Sequence, residues 1–298
     1  MENYRRSDLA CECTGKIEGV AEGTETVICH RNGMELHRTV IRTKEAEERI
    51  GKPRGRYHTL FCGRLRFLGK TEKERAAALL ASEIRDLAER ASGKRIGSDF
   101  SVFVGGLGNE ELTVDAIGPK TVARLTATRH LRDCDGELYR SLGCSSLSAL
   151  SPGVLGKTGI ETLEILRGAV ETTKPDLAVI IDALAAQSCD RLAATVQLTD
   201  TGIVPGSGVG NHRNAITRET LGVPVLAIGV PTVVDSATLV YDALEMAKIG
   251  QFDGSLRKVL ENGRSFFVSP KEIDLFVDEI CALLSRSLEL AFVGDLSS

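Results

Sequence analysis

Short, almost wholly apolar runs alternate along the chain with longer stretches whose apolar residues recur at helical spacing. Thr71–Ala91 places Ala77, Leu80, Ile84, Leu87 and Ala91 on one helix face, and Ser92-Gly93 ends it. Phe100–Val104 reads as a strand that runs into Gly105-Gly106-Leu107-Gly108-Asn109, with a helix expected over Lys120–Thr128. Thr162–Thr172 is a helix. Leu177–Ile181 has the continuous apolar character of a central strand buried on both faces. Asp182 follows it directly, and Ala183-Leu184-Ala185-Ala186 reads as a helix start. Val223–Val230 is another buried strand, followed by Pro231–Asp235 and a helix through Met246. A last amphipathic helix spans 270–292, with Pro270 near its first turn. The first sixty or so residues are more polar. There Thr24–His30 and Met34–Ile41 suggest a hairpin around Asn32-Gly33. The pattern predicts one α/β domain, a mixed or mostly parallel central sheet flanked by helices, with an N-terminal appendage.

Composition agrees with such a core. Of 298 residues, 42% are hydrophobic and 4% aromatic, with no tryptophan, so the interior is built from Leu, Ile, Val and Ala. A formal charge of -4, from 37 basic and 41 acidic side chains, gives no reason to expect nucleic acid or a membrane as partner. No apolar run reaches the roughly 18 residues of a spanning helix. Met1–Ala10 carries Arg5 and Arg6 without an apolar stretch, so it is no secretory signal and a cytoplasmic protein is expected. None of the eight cysteines forms a CxxC; reduced thiols are expected, the Cys11/Cys13 pair being the one alternative for a metal.

Ligands of open α/β sheets sit beyond the carboxyl ends of the strands. Three acidic residues stand at or soon after such ends: Asp115, Asp182 and Asp235. Two carboxylates held close together cannot both ionise easily, so one keeps a proton and acts as acid while the other acts as base. Such a pair could activate water and protonate a leaving amine. A strand-end aspartate can equally cap the next helix, and on position alone both roles stay open for each of the three. Gly106–Glu111 begins like a dinucleotide fingerprint but lacks its third glycine. Pro205–Asn211 matches neither a phosphate-binding loop nor a nucleophile elbow. Its glycines fit a tight loop, and backbone N–H groups around Gly206, Ser207, Gly208 and Asn211 could hold a substrate peptide or an oxyanion. None of the five histidines lies in an HExxH, and His130 is expected at a helix C-terminus.

Several longer motifs carry a resemblance. GLGN (106–109), DAIGP (115–119), TRHL (128–131), SALSPGVLGKTGIET (148–162), KPDLAVIIDALAA (174–186), DTGIVPGSGVGN (200–211) and ETLGVPVLAIGVPTVVD (219–235) resemble the germination protease family. The similarity runs in order from about residue 100 to 245, and SPKEIDLFVDEI (269–280) resembles the family's C-terminal helix. The resemblance implies an atypical aspartic endopeptidase, needing no cofactor, that degrades small acid-soluble spore proteins in the spore core at germination. It implies a fold like that of the hydrogenase maturation proteases (phosphorylase/hydrolase-like) and a homotetramer. Its two motif aspartates fall on Asp115 and Asp182. It also implies a zymogen that cleaves its own N-terminus at a substrate-like site. Ser7-Asp8-Leu9-Ala10-Cys11-Glu12 has that form, placing the cut between Asp8 and Leu9, with 1–8 as propeptide and 9–298 as protease domain.

Three departures stand out. The link over about 248–268 is short, Gln187 stands where the family pattern has Arg, and residues 1–99 match poorly beyond SDLA and KPRGRY. Two other readings share part of the pattern. A metal-dependent maturation-type protease on the same fold would pair a strand-end acid with a histidine around nickel. A non-catalytic sporulation binding protein would keep the fold and lose turnover.

Overall fold

The computed structural model describes residues 7–14, 22–206, 213–249, 255 and 266–294. Its strands are β1 (Thr24–Arg31), β2 (Met34–Ile41), β3 (Gly55–Phe61), β4 (Ser101–Gly106), β5 (Ser146–Leu150), β6 (Leu177–Ala186), β7 (Thr195–Thr199), β8 (Val225–Asp235) and β9 (Phe267–Val268). The helices are α1 (Ala10–Thr14), α2 (Lys44–Ile50), α3 (Lys70–Ser92), α4 (Ile117–Val122), α5 (Arg129–Cys134), α6 (Gly136–Leu142), α7 (Leu155–Thr158), α8 (Thr162–Thr173), α9 (Arg218–Leu221), α10 (Ser236–Met246) and α11 (Ile273–Phe292).

These strands form one sheet in the order β1-β2-β3-β7-β8-β6-β4-β5, with β9 added against β8. From β8 to β5 the neighbours run parallel, whereas β1, β2, β3 and β7 join antiparallel. The N-terminal hairpin is therefore part of the main sheet. Asn32 and Gly33 both take positive φ, 54° and 79°, which a tight hairpin turn requires.

Side-chain alternation divides β6 between two layers. Val179 and Ile181 face a core with α3 and α11, through Leu80, Ile84, Leu87, Ile280 and Leu284. Ala178 and Ile180 face α8, through Leu163, Leu166 and Val170. Further along the second face, Leu184 and Ala186 pack against Leu9 from the N-terminal segment. Burying a leucine side chain contributes about 1.5–3 kcal/mol, and Leu9 is wholly buried.

Three expectations differ from the structure. Ala183–Ala186 continues β6 and begins no helix. Here strand pairing overrides the helix preference of alanine and leucine: Asp182–Ala186 pairs with Gly229–Val234 of β8. A register shift between Leu184 and Ala185 lets β8 pass through Pro231 without breaking the ladder. The helix expected over Lys120–Thr128 lies earlier, as α4. His130 is the second residue of α5 and exposed, not at a helix C-terminus. Strands β3, β5 and β7 lack the apolar runs that mark β6 and β8. Among the described residues no helix is long and apolar enough to cross a membrane.

Candidate active site

Asp182 sits in the middle of β6, on the face shared with Leu184, and is 5% exposed. Its Oδ1 accepts the N–H of Ala183 at 2.9 Å. Because β6 continues beyond it, Asp182 caps no helix, and that role is removed for this residue. Burial pushes its carboxyl well above the ordinary value, and the charges of Asp115 and then Asp8 push the same way.

Asp115 closes a short 3-10 turn, Thr113–Asp115, just before α4. The glycine-rich turn after β4 shapes its surroundings. Gly108 has φ +113°, and a Cβ there would lie 1.9 Å from the Asp115 carbonyl oxygen, so only glycine lets the two strands of the loop meet. The next residue, Asn109, donates its N–H to Asp115 Oδ2 at 2.8 Å. Thr232, freed at the β8 irregularity, donates its hydroxyl to the Val114 carbonyl at 2.6 Å. The Gly106–Asn109 turn is thus a scaffold for a carboxylate. Burial raises Asp115 as well, while the Asn109 N–H and the charge of Arg213 act downward.

Both aspartates line one cavity of about 480 Å³, together with Asp8, Pro205, Gly206 and Arg213. Arg213 is the only cation among the described residues that line it. It gives no short-range sequence signal, because it reaches the cavity from the far side of a loop. That loop is closed at its base by paired hydrogen bonds between Ile203 and Ile216, of 3.0 and 2.8 Å. Gly206 borders the cavity; Ser207, Gly208 and Asn211 lie outside the described residues. Asp235, the third strand-end acid, accepts the Ala237 N–H at 2.8 Å as α10 begins, which is a helix cap.

The segment with the expected cleavage site lies against the same strands. Asp8 donates its N–H to the Ala185 carbonyl at 2.9 Å, and Asp8 Oδ2 accepts the Ala185 N–H at 2.9 Å. Leu9 fills an apolar socket of Leu184, Ala186, Leu192 and Val234. Ala10 is wholly buried among Ile41, Ala46, Ile50 and Tyr57. The Glu12 carboxylate accepts two backbone N–H groups, from Gln187 at 2.8 Å and Ser188 at 3.0 Å. Acidic, apolar, small and acidic positions of the segment each have a matching contact. Residues 1–6 of the expected propeptide lie outside the described residues, as does most of the 248–268 link.

The eight cysteines are all free thiols, and burial pushes Cys11 up to about 11. Among the described residues no cluster of three or more His, Cys, Asp or Glu is placed to hold a metal.

A mixed α/β domain with two carboxylates held in one cavity, one within β6 and one just before α4, defines a hydrolase-like site. Comparison with known proteins makes this specific. Residues 6–257 match the family model described as Germination protease. Proteins named Germination protease are 40% identical in Caldanaerobacter subterraneus subsp. tengcongensis (98% of this chain, 95% of that protein) and 34% in Clostridium acetobutylicum (97% and 95%). The one from Bacillus subtilis is 36% identical, over 85% of this chain and 82% of that protein. The chain belongs to the germination protease family and is a peptidase. The similarity also reaches further toward the N-terminus than the motifs do. Among solved structures, the [NiFe] hydrogenase maturation protease HycI from Thermococcus kodakarensis KOD1 is similar at 16% identity and TM-score 0.33. It covers 65% of this chain and 94% of that one, a likeness too slight to bear on mechanism.

Proposed function

We propose that this protein is an endopeptidase of small acid-soluble spore proteins in which Asp115 and Asp182 form an acid–base pair. The observation that carries the reading is their shared cavity, in which burial and the charge of Asp115 both raise Asp182. The environments separate the two roles. Asp115, with the Asn109 N–H and Arg213 favouring its charge, is the base that takes a proton from water. Asp182, buried and facing other carboxylates, keeps its proton and passes it to the leaving amine.

Under this reading the chain is a zymogen that cuts itself between Asp8 and Leu9. The docking of Asp8 and Leu9 against β6, of Ala10 among β2, α2 and β3, and of Glu12 on the turn after β6 supports it, because each contact matches a substrate-like position. A homotetramer acting in the spore core completes the proposal on the strength of the family resemblance. A cleavage assay on an acid-soluble spore protein tests it, comparing wild type with Asp115→Asn and Asp182→Asn, with and without chelator. Loss of cleavage in both variants and indifference to chelator are expected. Full activity in either variant would sink the pair, and chelator inhibition would favour a metal-dependent reaction.

A further inference from the structure

Gln197 lies in β7 and is 6% exposed. In the sheet it pairs with Gly229 of β8, and Gly229 pairs on its other side with Asp182 of β6. Residues in register share a face, so Gln197 and Asp182 rise on the same side of the sheet with a glycine between them. Two strand spacings put their backbones roughly 10 Å apart. A Cβ at Gly229 would come within 2.3 Å of Leu184, so the gap between the two polar side chains stays low and Leu184 lies across it.

The Gln197 side chain spans the backbone on either side of Leu9. Its Nε2 donates to the Asp8 carbonyl oxygen at 3.1 Å, and its Oε1 accepts the Ala10 N–H at 2.7 Å. Hydrogen-bond chemistry fixes this orientation: a backbone N–H only donates and a carbonyl only accepts, so a flipped amide would lose both bonds. The Asp8 carbonyl belongs to the bond between Asp8 and Leu9.

We propose that Gln197 is a catalytic residue that holds the carbonyl oxygen of the scissile bond and stabilises the negative charge developing on it. The inference deepens the proposed function and rests on its reading of the Asp8–Leu9 bond. Water gives a proton to Asp115, and its oxygen bonds to the carbonyl carbon. The carbonyl π pair moves onto the oxygen, where the Gln197 N–H meets it. The C–N bond then breaks as the pair returns, and the amine takes the proton of Asp182. A neutral amide suits this position. It supplies a donor at every working pH and adds no positive charge that would strip the proton from Asp182. The same two contacts would grip a substrate strand in trans, one on each side of the first residue beyond the cut.

The test follows self-cleavage of the full chain by mass spectrometry, as the first-order rate at which the Leu9 N-terminus appears. Melting temperature and cleavage of an acid-soluble spore protein are measured alongside. Gln197→Glu keeps the shape and the acceptor for Ala10 but, ionised, lacks the donor. Where that side chain is ionised, the rate should fall about 10²–10³-fold, the usual cost of losing one oxyanion donor. The ratio of variant to wild-type rate should then climb as pH falls through the range in which this buried glutamate takes up its proton, because the protonated side chain donates again. Gln197→Leu should lose the rate at every pH. A wild-type rate for Gln197→Leu, or a Gln197→Glu rate equal to wild type up to the highest pH at which the wild type works, would overturn the proposal. So would a loss that ignores pH and follows a lowered melting temperature, since that is a structural role. Wild type that cleaves spore protein while its Asp8–Leu9 bond stays intact under every condition would overturn it too. Asp115→Asn and Asp182→Asn run in parallel: if either is active while Gln197→Glu is slow, the aspartate reading fails and the Gln197 contact stands.

Discussion

Two carboxylates are buried in this protein to nearly the same depth, Glu83 on α3 at 2% exposure and Asp182 on β6 at 5%. Burial pushes both toward the neutral acid. Around Glu83 that push is outweighed. His58 Nδ1 lies 2.9 Å from Oε2 as an ion-pair contact, although not aligned as a good hydrogen bond. Arg38 binds both carboxylate oxygens, Nε at 2.8 Å. Together they hold Glu83 at about 2 and tie α3 to β2 and β3. Around Asp182 nothing outweighs burial. Its nearest charged influences include Asp115 and Asp8, which add to it, and Arg213 only tempers the sum. One buried acid is neutralised by the Arg38 guanidinium, with His58 beside it, and fastens the fold. The other has no such partner, so its carboxyl is pushed toward the neutral form, the setting that the proposed role as an acid requires.

The sharpest way to break this contrast is to remove each carboxylate's charge and read activity. Asp115→Asn and Asp182→Asn should each slow spore-protein cleavage by about 10²–10⁴-fold, the span of a general acid or base. The double variant should be hardly slower than either single, because the two act as a unit. Glu83→Gln should keep the rate per folded molecule, measured as initial velocity well below its melting temperature. A large loss there would mean that the two buried acids are not distinct in kind.

Stability should answer the other way. Glu83→Ala strands His58 and Arg38, and breaking a buried pair costs about 3–5 kcal/mol. Arg38 keeps 34% of its side chain in water, so about 3 kcal/mol is expected, read by denaturant unfolding. The pH sign follows from the lowered value. Glu83's contribution is fully present above its ordinary 4.5 and is lost as pH falls through about 2. The difference between wild type and Glu83→Ala should therefore shrink on acidification.

Asp182 has the opposite slope. A raised acid binds more protons folded than unfolded, so stability falls as pH rises from its ordinary 3.8 through the raised folded value. Asp182→Asn keeps an acceptor for the Ala183 N–H and removes the charge. It should be more stable than wild type at neutral pH, by on the order of 1 kcal/mol. That gain should vanish below the ordinary carboxylate range. A variant that is inactive but no more stable would place Asp182 among the satisfied acids with Glu83.

The sequence makes one half of this contrast far more legible than the other. Apolar runs announce β6 and β8, and motif resemblance picks out Asp115 and Asp182 beside them. The continuation of β6 past Asp182 is hidden, because Ala183–Ala186 is locally helical in preference and only its pairing with β8 makes it strand. Glu83 is hidden too: its partners Arg38 and His58 lie on two other elements. Gln197 is the extreme case. Nothing local in Thr195–Thr199 marks it, and its place opposite Asp182 comes from register through Gly229. Local pattern carries elements, whereas the site is assembled from alignments between distant strands.

Asp235 supplies the smallest and most discriminating comparison. It closes β8, the position that local pattern assigns to Asp182 in β6, but it does what a strand-end aspartate can do without chemistry. Its Oδ1 takes the Ala237 N–H as α10 begins, and it is only half-buried. Asp235→Ala should cost about 0.5–1 kcal/mol, the ordinary loss of an N-cap, in the same unfolding titration. Asp235→Ser or Asp235→Asn should restore most of it, because either side chain can accept that hydrogen bond. Cleavage should be unchanged throughout. If Asp235→Ala instead lost activity as Asp182→Asn does, position at a strand end would matter more than burial beside a second carboxylate. The asymmetry between Asp115 and Asp182 would then no longer account for the reaction.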